Sequence, residues 1–159
     1  MKGQFVFEFL LAGVIFFAVV LYAMNYLNVN VSDFQVRFYS DKLQSKALQI
    51  SDMLGNDRSS LGLVESPSLF NKSMIESFNS TYCLDQDGYL RMRLDLNLME
   101  KTEYGERMHN VNITLVTESG LILLDCGYNI PTGIERAEAE RFGVFRENGE
   151  LAKLRVIVW

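Results

Sequence analysis

An apolar run near the N-terminus constrains the fold of this chain more than any other feature. From Phe5 to Leu27 the sequence reads FVFEFLLAGVIFFAVVLYAMNYL, and only Glu8 and Asn25 interrupt it. As a helix with a rise of 1.5 Å per residue, the run would be roughly 34 Å long, slightly more than the ~30 Å hydrocarbon core of a bilayer. The run therefore predicts one membrane-spanning helix.

Two ordinary explanations of this run are incomplete. A secretory signal peptide has a shorter apolar stretch and a small-x-small cleavage site, and Ala-Met-Asn-Tyr-Leu is a poor site of that kind. A simple signal anchor, with Lys2 held inside, fits the length but does not explain Glu8. A carboxylate within hydrocarbon costs a few kcal/mol and usually marks a function or a partner. The alternative, in which Glu8 only reaches the headgroups at the inner interface, stays open on physical grounds.

The residues before and including Glu8 form a short motif, Lys2-Gly3-Gln4-Phe5-Val6-Phe7-Glu8. This motif, followed directly by an apolar helix, resembles the class III signal peptide of archaeal type IV pilin-like proteins. Here the leader is only Met1-Lys2-Gly3, shorter and less basic than most in that family. The resemblance covers about the first 27 residues.

The resemblance implies processing and assembly. A prepilin peptidase would cut between Gly3 and Gln4, and Glu8 would then neutralise the new Gln4 amine of a neighbouring subunit and fix the axial register. The implied partners are other pilin subunits through the N-terminal helix, the prepilin peptidase, the pilus assembly platform and membrane lipid. The implied location is the cell membrane, single-pass with the C-terminal head outside, and a cell-surface filament after processing. The charged, irregular head favours a minor subunit.

The helix is expected to continue beyond the membrane. No Gly or Pro occurs between Val14 and Leu54, and apolar residues recur at helical spacing up to Gly55, where we expect the helix to end. The recurring residues are Val36, Tyr39, Leu43, Ala47, Ile50 and Leu54. The alternative is two helices broken at Asn28-Val29-Asn30. The expected parts are a leader at 1–3, a transmembrane or filament-core helix at 4–27, its amphipathic continuation at 28–54 and an extracellular β-rich head at 55–159.

The remainder of the chain predicts an antiparallel sheet of four to five strands packed on the amphipathic half of the helix, so that the fold class is α+β. Residues 55–80 read as a loop with a short helical stretch around 72–78. Period-2 alternation predicts a strand at Tyr89–Leu98 after a turn at 85–88, and the charged run 135–141 reads as a solvated face. Two hairpins are expected, with turns at 118–120 and at 147–150, the second containing a type I′ Asn-Gly pair.

The two cysteines and four Asn-x-Ser/Thr triplets suit an extracellular head. A Cys83–Cys126 disulfide would close a loop of about 43 residues, worth roughly 4 kcal/mol in the chain-entropy model; two buried free thiols are the alternative. The glycosylation candidates are Asn71 and Asn79, the best of the four because they lie in a predicted loop, followed by Asn112 and Asn30.

Composition and missing motifs exclude several function classes. Fifteen basic against twenty acidic residues give a net charge of −5, so we expect no nucleic-acid partner. His109 is the single histidine and is expected in a solvated turn. We expect no catalytic residue, no metal site and no cofactor, and therefore not an enzyme; a membrane-tethered enzyme would need a site without a recognisable motif. The other alternative is a monomeric, signal-anchored extracellular binding or adhesion domain.

Overall fold

The computed structural model of the protein describes residues 2–102 and 105–159, and among them all side chains except those of residues 2–6, 32, 33 and 102. The chain divides into two compact units, Met1–Tyr39 and Ser40–Trp159. In chain order the elements are α1 (Lys2–Leu54), β1 (Val64–Ser66), β2 (Leu69–Phe70), α2 (Lys72–Tyr82), α3 (Gln86–Asp95), β3 (Met99–Thr102), β4 (Gly105–Met108), β5 (Val111–Thr117), β6 (Ile122–Gly127), β7 (Ala137–Phe145) and β8 (Glu150–Val158).

Helix α1 is continuous from Lys2 to Leu54 and passes through residues 28–30 without a break, so the single-helix prediction is confirmed. It ends where expected, with the amide of Gly55 donating to the carbonyl of Ser51 at 3.0 Å. The buried apolar positions in its last turns are Leu43, Ala47, Ile50 and Leu54, which lie on one helix face. Val36, which we assigned to the same face, is exposed, because α1 enters the second unit, called the head from here on, only at Ser40.

The predicted strand at Tyr89–Leu98 is wrong, because most of this segment belongs to helix α3, Gln86–Asp95. The buried side chains are Tyr89, Met92 and Leu96, spaced three and four residues apart, whereas Leu90 and Leu94 are exposed. The helix starts at an N-cap, since Oδ1 of Asp85 accepts a hydrogen bond from the amide of Gly88 at 2.6 Å. The turn that we expected before a strand is therefore the cap of a helix.

The head contains a mostly antiparallel six-stranded sheet in the order β1-β2-β7-β8-β5-β6, and β3 and β4 form a separate two-stranded sheet. Only β2 and β7 pair in parallel among the described strands. The sheet exceeds the predicted four to five strands because residues 64–70, expected as loop, form the short pair β1–β2. The α+β class with a long N-terminal helix is confirmed.

Both predicted hairpins are present, but the second turn differs from the expected one. β5 and β6 flank residues 118–120, with Gly120 at a φ of 87°. β7 and β8 pair from Phe145 and Glu150 outwards, and of the intervening residues only Gly149 has a positive φ, 71°. A type I′ turn needs positive φ at both central residues, so this is a longer loop. Asn148 instead accepts a hydrogen bond from the amide of Glu150 at 3.0 Å.

The charged run 135–141, expected as a solvated face, is mostly strand. Ala137 and Ala139 are buried, and the alternating residues Glu138 and Glu140 lie on the other face of β7. There Glu138 pairs with Arg155, and Glu140 with Lys153 at 2.9 Å, both across the β7–β8 ladder. A strand with one buried face is thus difficult to recognise in the sequence when small apolar residues alternate with charged ones.

The helices of the head are fixed to the sheet by polar contacts as well as by packing. The Tyr89 hydroxyl donates to the carbonyl of Val111 at 2.9 Å and accepts from the amide of Val111 at 3.0 Å, which holds α3 against β5. Arg141 on β7 pairs with Asp52 and donates to the carbonyl of Gly55 at 3.3 Å. The C-terminal end of α1 is therefore attached to the sheet at its last turn.

Candidate functional site

The N-terminal helix carries the strongest functional signal in the part of the chain that the structure describes. Here one helix is long and apolar enough to span a membrane. Its large apolar side chains from Phe7 to Leu27 are exposed, except Val20, which is partly covered. The predicted membrane anchor is thus matched by length, composition and exposure.

Glu8 lies on this apolar helix with an exposed side chain. In the sequence it is the single charged residue between Lys2 and Asp33. Gly3 and Gln4 belong to the first turns of α1, and the Gln4 side chain lies outside the described residues. Cleavage between Gly3 and Gln4 stays a prediction. The pairing of Glu8 with a neighbour's Gln4 also stays a prediction, because it joins two chains.

Two aromatic pairs lie on α1, one at the C-terminal end of the apolar run and one beyond it. The rings of Tyr22 and Tyr26 stack with their centroids 6.5 Å apart, one helical turn from each other. Tyrosines are enriched where a membrane-spanning helix meets water, because the ring is apolar and the hydroxyl is polar. Further along α1, the Phe34 ring stacks on that of Phe38 with a centroid distance of 6.3 Å.

The part of α1 after the tyrosines, Leu27–Val36, is named the outer segment here. Its apolar side chains are at least half exposed to solvent: Leu27 58%, Val29 56%, Val31 50%, Phe34 69% and Val36 57%. Sequence reasoning missed the importance of these residues, because it assigned Leu27 to the membrane run and Val36 to the packing face of the head and gave Val29, Val31 and Phe34 no role. Plotting the segment at the helical period would have separated them.

The head holds a polar cluster beside the turn of α1 that contains Lys42 and Lys46. Glu100 on β3 pairs with Lys42 of α1, and its other carboxylate oxygen lies 3.5 Å from Nε2 of His109. His109 is buried, with 2% exposure, so the predicted solvated turn is wrong. His109 lies in the connection between β4 and β5. Its amide donates a hydrogen bond to the carbonyl of Leu98 at 3.0 Å, which holds this connection against the residue before β3.

The electrostatics of this cluster follow from burial and charge. Burial lowers the pKa of His109, against the opposing effect of Glu100. The hydrogen bond from Lys42, and after it that from His109, lowers the pKa of the Glu100 carboxyl. Lys46, one turn beyond Lys42, donates to the carbonyl of Asn97 at 2.6 Å. The cluster therefore ties α1 to the β3–β4 region with a neutral, buried imidazole.

The predicted disulfide between Cys83 and Cys126 is present, and neither cysteine is free. It joins the C-cap of α2 to strand β6, with the two Cα atoms 5.1 Å apart. The sulfur of Met92 on α3 lies 3.7 Å from Sγ of Cys126. The bond therefore sits where α2, α3 and the sheet edge meet.

The four glycosylation candidates occupy different environments. Asn71 is the N-cap of α2, and its Oδ1 accepts from the amide and hydroxyl of Ser73 at 2.9 and 2.7 Å, while Nδ2 donates to Glu65 at 2.9 Å. Asn79 lies inside α2, not in a loop as predicted, because the helix runs on to Tyr82. Asn112 is on β5, between two paired strands, and Asn30 is on α1. Modification of each stays a prediction.

Among the described residues, no group of three or more His, Cys, Asp or Glu side chains could hold a metal ion. The predicted absence of a catalytic site and a cofactor stays a prediction. No family model, curated protein or solved structure matches this chain.

Proposed function

We propose that this chain is a structural subunit, and a minor one, of an archaeal type IV pilus-like surface filament, held in the membrane before assembly. The observation that carries the proposal is the length of exposed apolar surface on α1. The class III signal-peptide resemblance at Lys2–Glu8 supplies the processing and assembly steps that this surface requires.

The exposed apolar surface is longer than a bilayer can cover. From Phe7 to Leu27 the helix rises about 30 Å, the thickness of the hydrocarbon core, and the outer segment adds about 14 Å. Moving the helix further into the bilayer would bring first Asp33 and then Arg37 into hydrocarbon, which carries a large penalty. The stacked Tyr22 and Tyr26 suit an interface just before Leu27. The outer segment therefore needs a cover other than lipid.

A monomeric anchored ectodomain would leave these side chains in water. Full burial of a Val, Leu or Phe side chain contributes about 1.5–3 kcal/mol, and five such residues lie in the outer segment. In a filament, the same helix that anchors the free subunit becomes part of the core. The apolar surface then serves in both states, as membrane anchor and as subunit contact.

Glu8 fits this two-state use of the helix. In the membrane, near the inner interface, its carboxylate can reach headgroups. In the filament it would neutralise the Gln4 amine that cleavage after Gly3 creates on a neighbour. Such a pair fixes the register of subunits, and removal of one partner leaves an uncompensated charge in an apolar core.

The proposal is tested by comparing Glu8→Ala with Asn25→Ala, a matched polar-to-Ala change in the same apolar run. We expect both variants in the membrane at wild-type amounts, but only Asn25→Ala in filaments sheared from the cells. Wild-type protein that is absent from the sheared fraction would contradict the filament proposal and leave an anchored ectodomain. Normal incorporation of Glu8→Ala would remove the role proposed for Glu8.

A further inference from the structure

We propose that the outer edge of strand β6, Ile122–Gly127, binds an extended segment of another protein, in which apolar side chains alternate with basic ones. The bound segment would add a seventh strand to the six-stranded sheet. This proposal concerns the head alone and does not depend on the filament function. It is drawn from unpaired backbone groups, an apolar groove and the charges beside the edge.

Strand β6 is an edge of the sheet, because among the described strands it pairs only with β5. Backbone hydrogen bonds alternate between the two sides of an antiparallel strand. Just before β5, Asn110 exchanges hydrogen bonds of 2.9 and 3.1 Å with Trp159 on the β8 side. Ile113, three residues later, therefore bonds to its β6 partner Cys126, and Asp125 directs its own N–H and C=O away from β5.

The outward N–H and C=O of Asp125 have no hydrogen-bond partner in the part of the chain that the structure describes. The opposite side of the sheet differs. There the carbonyl of Glu138 accepts from Nε2 of Gln44 at 3.2 Å, and the amide of Val144 donates to the carbonyl of Ser68 at 2.7 Å. Strand β6 also contains no Lys or Pro, the residues that commonly prevent pairing at an edge. Its edge therefore remains a template for another strand.

An apolar groove of about 280 Å³ lies between the start of β6 and the start of α2. It is lined by Ile122 and Leu123 of β6, Ile75 of α2 and Phe145 of β7. The pairing of β5 with β6 shifts register at this point, which brings two consecutive residues of β6 to the groove. Because a cavity of about 150 Å³ holds a benzene ring, the groove has room for a large apolar side chain.

The charges beside this edge are mainly acidic. Cys126 faces α2, so the preceding residue, Asp125, places its exposed carboxylate on the opposite face of the sheet. This carboxylate forms no ion pair with any described residue. At the groove, Lys72 is shared between Glu76, 3.7 Å from its Nζ, and Glu147, which accepts from its amide at 3.2 Å. The edge therefore favours basic side chains on its partner.

These features define the chemistry of the bound segment. Its side chains on the α2 side meet the groove and are apolar, and the alternate ones lie beside Asp125 and are basic. Its backbone pairs with β6, which supplies affinity that does not depend on sequence. A second copy of this chain suits the edge less well, because symmetric pairing of two β6 strands about Asp125 brings two carboxylates together.

Peptide binding to the purified full chain in non-ionic detergent tests the proposal. The probe is a short, capped peptide in which leucine alternates with lysine. We expect saturable binding that empty micelles do not show, together with slower hydrogen exchange at the Asp125 amide. The matched peptide carries N-methyl groups on the amides that would face β6. It keeps every side chain and charge, and we expect it to bind about tenfold more weakly or worse.

Variants of the chain test the edge itself. Asp125→Lys should reverse the preference, so that a leucine–glutamate peptide binds more tightly than the leucine–lysine peptide. Asp57→Lys, a matched change of an exposed acid in the loop after α1, should keep the preference for lysine. Asp125→Pro removes an outward amide but no bond to β5, so it should abolish binding while thermal unfolding still shows a folded head.

Equal binding of the methylated and the unmethylated peptide would overturn the proposal, because strand pairing needs the amides. Absence of saturable binding, or the same peptide preference in Asp125→Lys as in Asp57→Lys, would also overturn it. Self-association of the chain that both Asp125→Pro and the leucine–lysine peptide abolish would assign the edge to a second copy and overturn the choice of another protein.

Discussion

Tyr22 and Tyr26 stack on α1 with their ring centroids 6.5 Å apart and place an amphipathic pair directly before the outer segment. Because such rings favour the membrane–water interface, we expect the pair to lie at the outer boundary of the hydrocarbon. We expect a membrane-impermeant maleimide to label Asn28→Cys in intact cells, but to label Phe16→Cys only after detergent is added. Equal labelling of both variants before detergent would contradict this boundary.

The Cys83–Cys126 disulfide should make a large contribution to the free energy of unfolding of the head. Its cysteines are separated by 43 residues, and a loop of that size corresponds to about 4 kcal/mol in the chain-entropy model. We expect the double variant Cys83→Ala, Cys126→Ala to lose stability of this order in urea unfolding of the full chain in detergent. A loss below ~1 kcal/mol would show that packing among α2, α3 and β6 already restrains this loop.

The head should lose stability as the pH falls from 7 to 5. Burial holds the pKa of His109 below its usual value of 6.5, so the unfolded chain binds more protons than the folded chain below that pH. His109→Gln, which has no proton to gain, should show a smaller loss over this range. An identical pH dependence of the free energy of unfolding in both proteins would contradict the neutral, buried imidazole.

A second decline is expected below pH 4.5. The pKa of Glu100 is lowered by the hydrogen bond from Lys42 and then by that from His109, so its stabilising contribution is present above 4.5 and is lost as the pH falls through the folded-state pKa. Glu100→Gln should reduce this decline. An unchanged decline in that variant would assign it to other carboxyl groups.

Asn71 should act as a helix cap whether or not it is modified. Asn71→Ala removes the acceptor for the amide of Ser73 and should cost about 1 kcal/mol of stability. Asn71→Ser keeps a good capping residue but removes the glycosylation triplet, so it should stay within about 0.5 kcal/mol of the unglycosylated wild type. Equal losses in both variants would contradict the capping role, and intact mass of the wild type reports a glycan independently.

The sequence predicted the parts of the fold that depend on local pattern. Helix α1 could be predicted to its last residue, Leu54, because no Gly or Pro interrupts its second half and Gly55 follows. The β5–β6 and β7–β8 hairpins could be located because alternating strands flank glycine-containing turns. The disulfide could be predicted because only two cysteines are present.

The wrong predictions arose where a residue pattern is compatible with more than one secondary structure or where burial depends on tertiary contacts. Leucines at every second position from Leu90 suggested a strand, but Asp85 at a capping position starts a helix that buries Tyr89 and Met92 instead. In β7, Ala137 and Ala139 were too small to stand out among charges. The burial of His109 depends on its contact with Leu98, eleven residues earlier in the chain. Such contacts are formed by tertiary packing, which no local pattern encodes.

The residues of the proposed processing and assembly site were predicted on a different basis. Gly3, Gln4 and Glu8 were identified from a motif, and their roles concern a peptidase and neighbouring subunits, so a single chain adds only that Glu8 is exposed. The outer segment shows the reverse. Its residues became prominent only when their exposure was known.

The most direct test of the account is the N-terminus of the mature protein. Intact mass and N-terminal peptide mapping would be carried out on protein from native membranes and from sheared filaments. We predict a chain that begins at Gln4 and is present in the sheared fraction. A chain that begins at Met1 and is found only in membranes would contradict the filament account.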